Sequence, residues 1–204
     1  MSNEEKLKFV ILGQAHVGKT SLLLRYFSNK FNENEKSTLN PSCYEKTENY
    51  NGINFDLVFW DTLGQEKFNS LNAIYYQNAL GALIVYDLTT PETLERVKTW
   101  VNTLKEILGE NINYVVVGNK IDLIGKDKKD IIESEIEEFR QEEGFEHFFT
   151  SAKSGFNVKE AFDSLIETVL KNVDKNKIVS KKRKVRKLEI TAPEVKPLQK
   201  KKCC

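Results

Sequence analysis

The sequence predicts an α/β fold: a six-stranded, mostly parallel sheet with one antiparallel hairpin strand and helices on both faces. Three observations carry this. Short apolar runs alternate with amphipathic segments of helical period. Most runs are continuously apolar, as in parallel strands covered on both faces. Asn51-Gly52 joins two runs and signals a two-residue hairpin, which turns one strand antiparallel.

The elements follow in order. Leu7 to Leu12 is a strand that ends at Gly13, and Ser21 to Phe27 reads as the next helix. Cys43 to Tyr50 and Ile53 to Trp60 are the hairpin strands, and Leu80 to Tyr86 is a buried strand. Pro91 to Leu108 is a helix, with Leu94, Val97, Val101, Leu104 and Leu108 at helical spacing. Pro91 sits where a first turn tolerates proline. Ile112 to Val117 is a strand, Ile131 to Arg140 an amphipathic helix, and His147 to Thr150 a last short strand. Asn157 to Leu170 closes the domain as a helix, with Asn157 as its cap and Val158, Phe162, Leu165, Ile166 and Val169 on one face. After Asn172 the rhythm stops. Residues 1–6 then read as an extension, 7–172 as the folded domain and 173–204 as a disordered basic tail.

Charge follows the same division. Residues 175–204 hold 12 Lys or Arg against 2 Glu, which leaves 19 basic against 28 acidic residues elsewhere. A mildly acidic body with a basic tail suggests a polyanionic surface as a partner, nucleic acid or an anionic leaflet. Three cysteines, Cys43, Cys203 and Cys204, form no disulfide framework and fit the reducing cytosol. The acidic start MSNEEKLKF lacks a signal-peptide core. No apolar run approaches the roughly 20 residues that span a bilayer.

GQAHVGKT, Gly13 to Thr20, satisfies G-x-x-x-x-G-K-[ST] between a strand and a helix. Gly13 and Gly18 permit turns that aim backbone N–H groups inward, and the helix N-terminus adds a positive dipole end. The loop backbone from Ala15 through His16, Val17 and Gly18 to Ser21 can then cradle phosphates. Lys19 reaches the β- and γ-phosphates, and the Thr20 hydroxyl is a hard ligand for Mg²⁺. The His16 side chain reads as a solvated loop residue, and His147 as structural.

The base is read elsewhere. Gly118 to Asp122 (GNKID) and Thr150 to Lys153 (TSAK) both follow strand carboxyl ends, where open α/β sheets bind ligands. Guanine presents N1–H and a 2-amino group side by side, and the Asp122 carboxylate accepts from both; adenine offers no such pair. Asn119 can reach N7 or brace the phosphate loop. The Lys120 stem can cover one face of the base, and the Ala152 N–H can donate to O6. Ser151 and Lys153 complete the loop.

These segments, with Thr38 and the DTLGQE stretch from Asp61, resemble the guanine-nucleotide elements of the Ras-superfamily small GTPases over residues 6–172. WDTLGQEKF, IYYQNALGALIVYDLT, the long tail and the final KKCC resemble the Rab family specifically. GQAHVGKTSLLLRY and STLNPS look most like its early-endosomal branch. The resemblance implies a P-loop NTPase G-domain that binds GTP or GDP with Mg²⁺. It makes Thr38 a metal ligand that touches the γ-phosphate, Asp61 a holder of Mg²⁺ through water, and Phe31 a neighbour of the guanine edge. Gly64 would donate its N–H to the γ-phosphate, and Gln65 would orient the attacking water. Arg25 lies too far along its helix to serve as an arginine finger, so hydrolysis would be slow until an activator supplies one.

Four departures from the family stand out. Ala15 replaces a glycine of Ras, Leu63 replaces the alanine usual in DTAGQ, and Asn40-Pro41 replaces a glycine-containing pair. Cys43 stands where many Rabs carry a phenylalanine beside residues matching Trp60 and Tyr75. Because of Ala15 and Leu63, an alternative stands beside the switch: a GTP-bound platform with very weak hydrolysis.

KKRKVRK, Lys181 to Lys187, reads as a nuclear signal, a nucleic-acid contact or a leaflet contact. The terminal Cys203-Cys204 pair resembles the Rab double-prenylation site and favours the leaflet. Two lipid chains, or one with a basic patch, anchor stably. The family implies a monomer without nucleic acid, working on the cytoplasmic face of intracellular, endosomal membranes. Its partners would be exchange factor, GTPase-activating protein, effectors and prenyl-binding escort or GDI proteins. A P-loop kinase, the remaining reading, would need ATP preference, which NKID opposes.

Overall fold

The computed structural model describes residues 5–35, 38, 41–50, 53–62 and 75–172. Its strands are β1 (Glu5–Leu12), β2 (Ser42–Tyr50), β3 (Ile53–Asp61), β4 (Gly81–Asp87), β5 (Asn113–Asn119) and β6 (Glu146–Phe149). Its helices are α1 (Lys19–Ser28), α2 (Pro91–Leu108), α3 (Lys126–Glu143) and α4 (Val158–Asn172), with a 3-10 turn at Ile121–Leu123. One sheet runs in the order β2-β3-β1-β4-β5-β6. Only β2 with β3 is antiparallel; the other neighbours are parallel.

Period-two alternation divides the core between the faces. Val10 and Leu12 of β1, with Ala82, Ile84 and Tyr86 of β4, pack under Val97, Trp100, Val101 and Leu104 of α2 and Ile132, Ile136 and Phe139 of α3. On the other face Phe9 stacks on Phe59 at 4.6 Å, and Phe59 meets Phe162 of α4. Tyr26 of α1 stacks on Phe162 at 4.3 Å. The helices therefore cover both faces, and β4 is buried along its whole length.

Several boundaries differ from the sequence reading, each for a local reason. Helix α3 starts at Lys126, five residues before Ile131, because its first turn is almost wholly charged and shows no apolar period. Strand β5 runs on through Gly118 and Asn119, pairing with Tyr86 and Asp87, so two residues of the base-reading motif belong to the sheet. Asn157 does stand before α4, and its carbonyl accepts from Ala161 N at 3.2 Å. Its side-chain N–H, however, donates to Phe149 O at 3.1 Å, tying the helix start to β6. The hairpin pairs Tyr50 with Ile53, while Asn51 and Gly52 themselves lie outside the described residues.

Candidate functional site

The parallel strands β1, β4 and β5 end on one side, and a cleft of about 430 Å³ lies there. Ala15, His16, Gly18, Lys19, Thr20 and Ser21 line its phosphate-loop side. Asn119, Lys120, Asp122, Ala152 and Lys153 line the base-reading side, while Phe31 and Thr38 also face it. Asn32, Glu33, Glu35 and Leu123 line it as well, although no motif marked them.

The loop conformation depends on its glycines. Gly13 has φ +138°, and a Cβ there would stand 2.1 Å from Val85 O. Gly18 has φ +95° and opens α1. The first N–H groups of a helix have no carbonyl partner within it, so the start of α1 offers donors to an anion. His16 is exposed at φ 67°. The Val17 side chain is buried in the core, so only its backbone serves the site.

Lys19 is 6% exposed, and its ammonium donates to Gly13 O at 3.0 Å and Gln14 O at 2.9 Å. Burial lowers its pKa to about 8, opposed by the nearby Asp61 charge. Beside it three side-chain oxygens converge. Thr20 Oγ1 lies 2.8 Å from Thr38 Oγ1 and donates to Asp61 Oδ2 at 2.6 Å. Thr38 Oγ1 also reaches Asp61 Oδ2, at 3.3 Å.

Asp61 is fully buried, and its Oδ1 has no hydrogen-bond partner among the described residues. Burial raises its pKa against the pull of Thr20, Lys19 and Thr38. A buried carboxylate short of positive charge beside two hydroxyls fits a hard, oxygen-seeking cation such as Mg²⁺. Among the described residues no cluster of three His, Cys, Asp or Glu side chains forms a metal site.

On the base side, Asn119 Nδ2 donates to Val17 O at 2.9 Å, and Asn119 Oδ1 accepts from Ala152 N at 3.1 Å. One amide thus clamps the phosphate loop to the TSAK loop. Ser151 is buried and donates to Asp122 Oδ1 at 2.6 Å, so it supports the carboxylate from behind. Lys120 sits at φ 71° and donates to Asp87 Oδ2 at 2.6 Å. Asp87 Oδ1 in turn accepts from the backbone N–H and hydroxyl of Thr89. Lys153 pairs with Glu33 at an exposed part of the cleft lining.

Besides those lining residues, Asp87 and Arg25 support the site without a sequence signal for these roles. The Arg25 guanidinium donates to Ala152 O, Lys153 O and Asn29, which keeps it from acting as a finger. Leu63, Gly64, Gln65 and Asn40 lie outside the described residues, as do Cys203 and Cys204.

The Ras family model matches residues 8–171. The chain belongs to the Ras family. Its curated relatives place it among the Rab small GTPases. It is 41% identical over 165 residues to Ras-related protein Rab-21 of Geodia cydonium, covering 81% of this chain and 71% of the relative. Against Ras-related protein Rab-21 of Homo sapiens the identity is 41% over 163 residues, covering 80% and 72%. Ras-related protein Rab-2B of Dictyostelium discoideum is 35% identical over 175 residues, 86% of each chain. The chain is therefore a GTP-hydrolysing small GTPase and a GTP-binding switch of membrane traffic.

Beyond its nucleotide cleft, the GTPase places Cys43 directly across from Trp60 in the hairpin register. Trp60 lies 5.6 Å from Tyr75, ring to ring, with the Lys8 ammonium over it. Cys43 is exposed, so the expected aromatic trio is here a pair beside a small thiol. Among the described residues no helix is long and apolar enough to cross a membrane. His147 of the GTPase sits in the edge strand β6, bonded to Tyr86 Oη at 2.9 Å.

Proposed function

We propose that this GTPase cycles between GTP and GDP with Mg²⁺, hydrolyses GTP slowly, and recruits effectors to an endosomal membrane while GTP-bound. One observation carries the reading: Thr20, Thr38 and Asp61 converge beside the buried Lys19. They come from α1, the segment before β2 and the end of β3. A γ-phosphate bound there would hold Thr38, and its loss would release the segment.

Thr20 and Thr38 would hold the ion directly, with Asp61 behind them. When bound, the ion supplies neutralisation of charge on the β- and γ-phosphate oxygens. Lys19 adds its own charge at the same end. Asp122 accepts from the guanine N1–H and 2-amino group, Asn119 offers its remaining N–H to N7, and the Lys120 stem covers one face. Gln65 orients the attacking water and Gly64 donates to the γ-phosphate, roles that rest on the DTLGQE resemblance. With Arg25 engaged elsewhere, an activator supplies the arginine.

Residues 173–204 act as a basic tether, carrying lipid on Cys203 and Cys204. An exchange factor, effectors and escort or GDI proteins complete the cycle of a monomer. Identification of the nucleotide that co-purifies with the chain tests the core of this: GDP or GTP is expected, and an adenine nucleotide refutes it.

The platform reading retains one support: Ala15, in the phosphate loop, lines the cleft. Single-turnover hydrolysis by wild type and Leu63→Ala separates the two readings. Slow turnover that an activator accelerates supports the switch. No turnover even with an activator supports the platform.

A further inference from the structure

Arg25 is bound into the base-reading loop by more than one contact. Its Nε donates to Ala152 O at 2.8 Å, and Nη2 donates to Lys153 O at 2.6 Å. Nη1 donates to Asn29 O at 3.1 Å and Asn29 Oδ1 at 2.9 Å. Asn29 is the C-cap of α1. The guanidinium thus fixes the far end of the helix that begins at Lys19 and, with the same fork, two successive carbonyls of the TSAK loop. A planar fork of five N–H groups suits this; a lysine ammonium cannot match its geometry.

The second of those carbonyls matters most. Lys153 C=O and Ser154 N–H belong to one planar peptide unit. Ser154 N–H donates to Ser151 Oγ at 3.0 Å, and Ser151 Oγ donates to Asp122 Oδ1 at 2.6 Å. A continuous path therefore runs from the guanidinium through one rigid peptide to a hydroxyl and on to the carboxylate. Gly155 sits at φ +86°, a backbone conformation that favours glycine, with the Arg25 arm at ordinary contact distance beside it.

We infer that Arg25 is a positioning residue for guanine selectivity, setting the aim of the Asp122 carboxylate through the Lys153–Ser154 peptide and Ser151. The inference rests on the guanine-reading role given to Asp122 above. Arg25 touches neither base nor phosphate in this scheme. Its loss would let the loop peptide rotate, and the carboxylate would lose its fixed angle to the two donors of the base.

The test compares GDP with IDP, whose hypoxanthine lacks the 2-amino group, on the full chain with Mg²⁺. Dissociation constants are read by displacement of a fluorescent GDP analogue. Wild type prefers GDP. For Arg25→Ala the GDP constant rises by about tenfold or more while the IDP constant rises much less, so the preference collapses. Arg25→Lys gives an intermediate preference. Ser151→Ala cuts the same path at another point and lowers the preference alike, and the double variant loses little beyond either single one.

Equal weakening of GDP and IDP in Arg25→Ala, or an intact preference, overturns the inference. If Arg25→Ala does not fold, an intact preference in both Arg25→Lys and Ser151→Ala overturns it. A wild type that binds GDP and IDP alike overturns the guanine reading itself, and the inference with it.

Discussion

Gly18→Ala would strike the site at its narrowest point. Gly18 sits at φ +95°, and a Cβ built there lies 2.4 Å from Asn119 Nδ2. Two costs follow. Placing an L-residue at such a φ costs roughly 1–2 kcal/mol. The methyl also drives the Asn119 amide away from Val17 O, losing a buried hydrogen bond of about 1 kcal/mol. Together these come to roughly 2–3 kcal/mol, and each 1.4 kcal/mol is tenfold in affinity. The loop has a cheaper escape than unfolding, which is to abandon the conformation that binds phosphate. The expected result is therefore a loss of GDP affinity of about 30- to 100-fold, with a smaller change in thermal stability without nucleotide. Displacement titration against a fluorescent GDP analogue measures the first and calorimetry the second. In an Asn119→Ala background the same substitution should cost only the backbone share, about 1–2 kcal/mol. GDP affinity within threefold of wild type in Gly18→Ala would refute the reasoning.

Three further outcomes are expected. His147 is pushed down to about 4 by burial, from an ordinary value near 6.5, so it stays neutral in the fold while the unfolded chain protonates. Its contribution is intact above pH 6.5 and lost as pH falls to about 4, an order of 3 kcal/mol at most; urea titrations of wild type and His147→Phe should diverge in that window, and parallel curves would count against it. Asp87→Ala leaves the part-buried Lys120 ammonium without its carboxylate and should speed GDP release by about tenfold or more, whereas an unchanged off-rate would remove Lys120 from the base site. Replacing Cys203 and Cys204 with serine should abolish sedimentation of the cell-expressed chain with anionic vesicles at physiological salt; retained binding would transfer the anchor to the basic tail alone.

The parts of the site legible in the sequence are those in which chemistry demands a residue type at a fixed spacing. Gly13, Gly18, Lys19 and Thr20 lie within one turn of chain, and Asn119, Lys120 and Asp122 within another. The clamp formed by Arg25 was not legible, because its acceptors lie 127 and 128 positions away and are backbone carbonyls, which every residue carries. Asp87 was hidden for a related reason: a carboxylate at a strand end has many uses, and only the sheet register brings it beside Lys120. The alternation of strands and helices gave the fold, but the charged opening turn of α3 was invisible to any apolar period.

The two halves of the cleft are held by different kinds of bond, and this bears on how a switch can work. The loop carrying Ala152 and Lys153 is tied to the phosphate loop by the buried Asn119 amide and to α1 by the Arg25 fork, whose bond to Ala152 O is part-buried and whose other bonds are exposed. The buried Asn119 contacts are costly to break, since each leaves a polar group without a partner. Thr38 instead meets the site through one hydroxyl, on Thr20 and on Asp61 at the longer distance of 3.3 Å. Those bonds are part-buried and involve a single hydroxyl, so they hold this segment by less than the buried Asn119 clamp holds the other. On the proposed function, the half of the cleft assigned to guanine would therefore persist through the cycle. The half that would register the γ-phosphate is held loosely enough for a single phosphoryl group to decide its position.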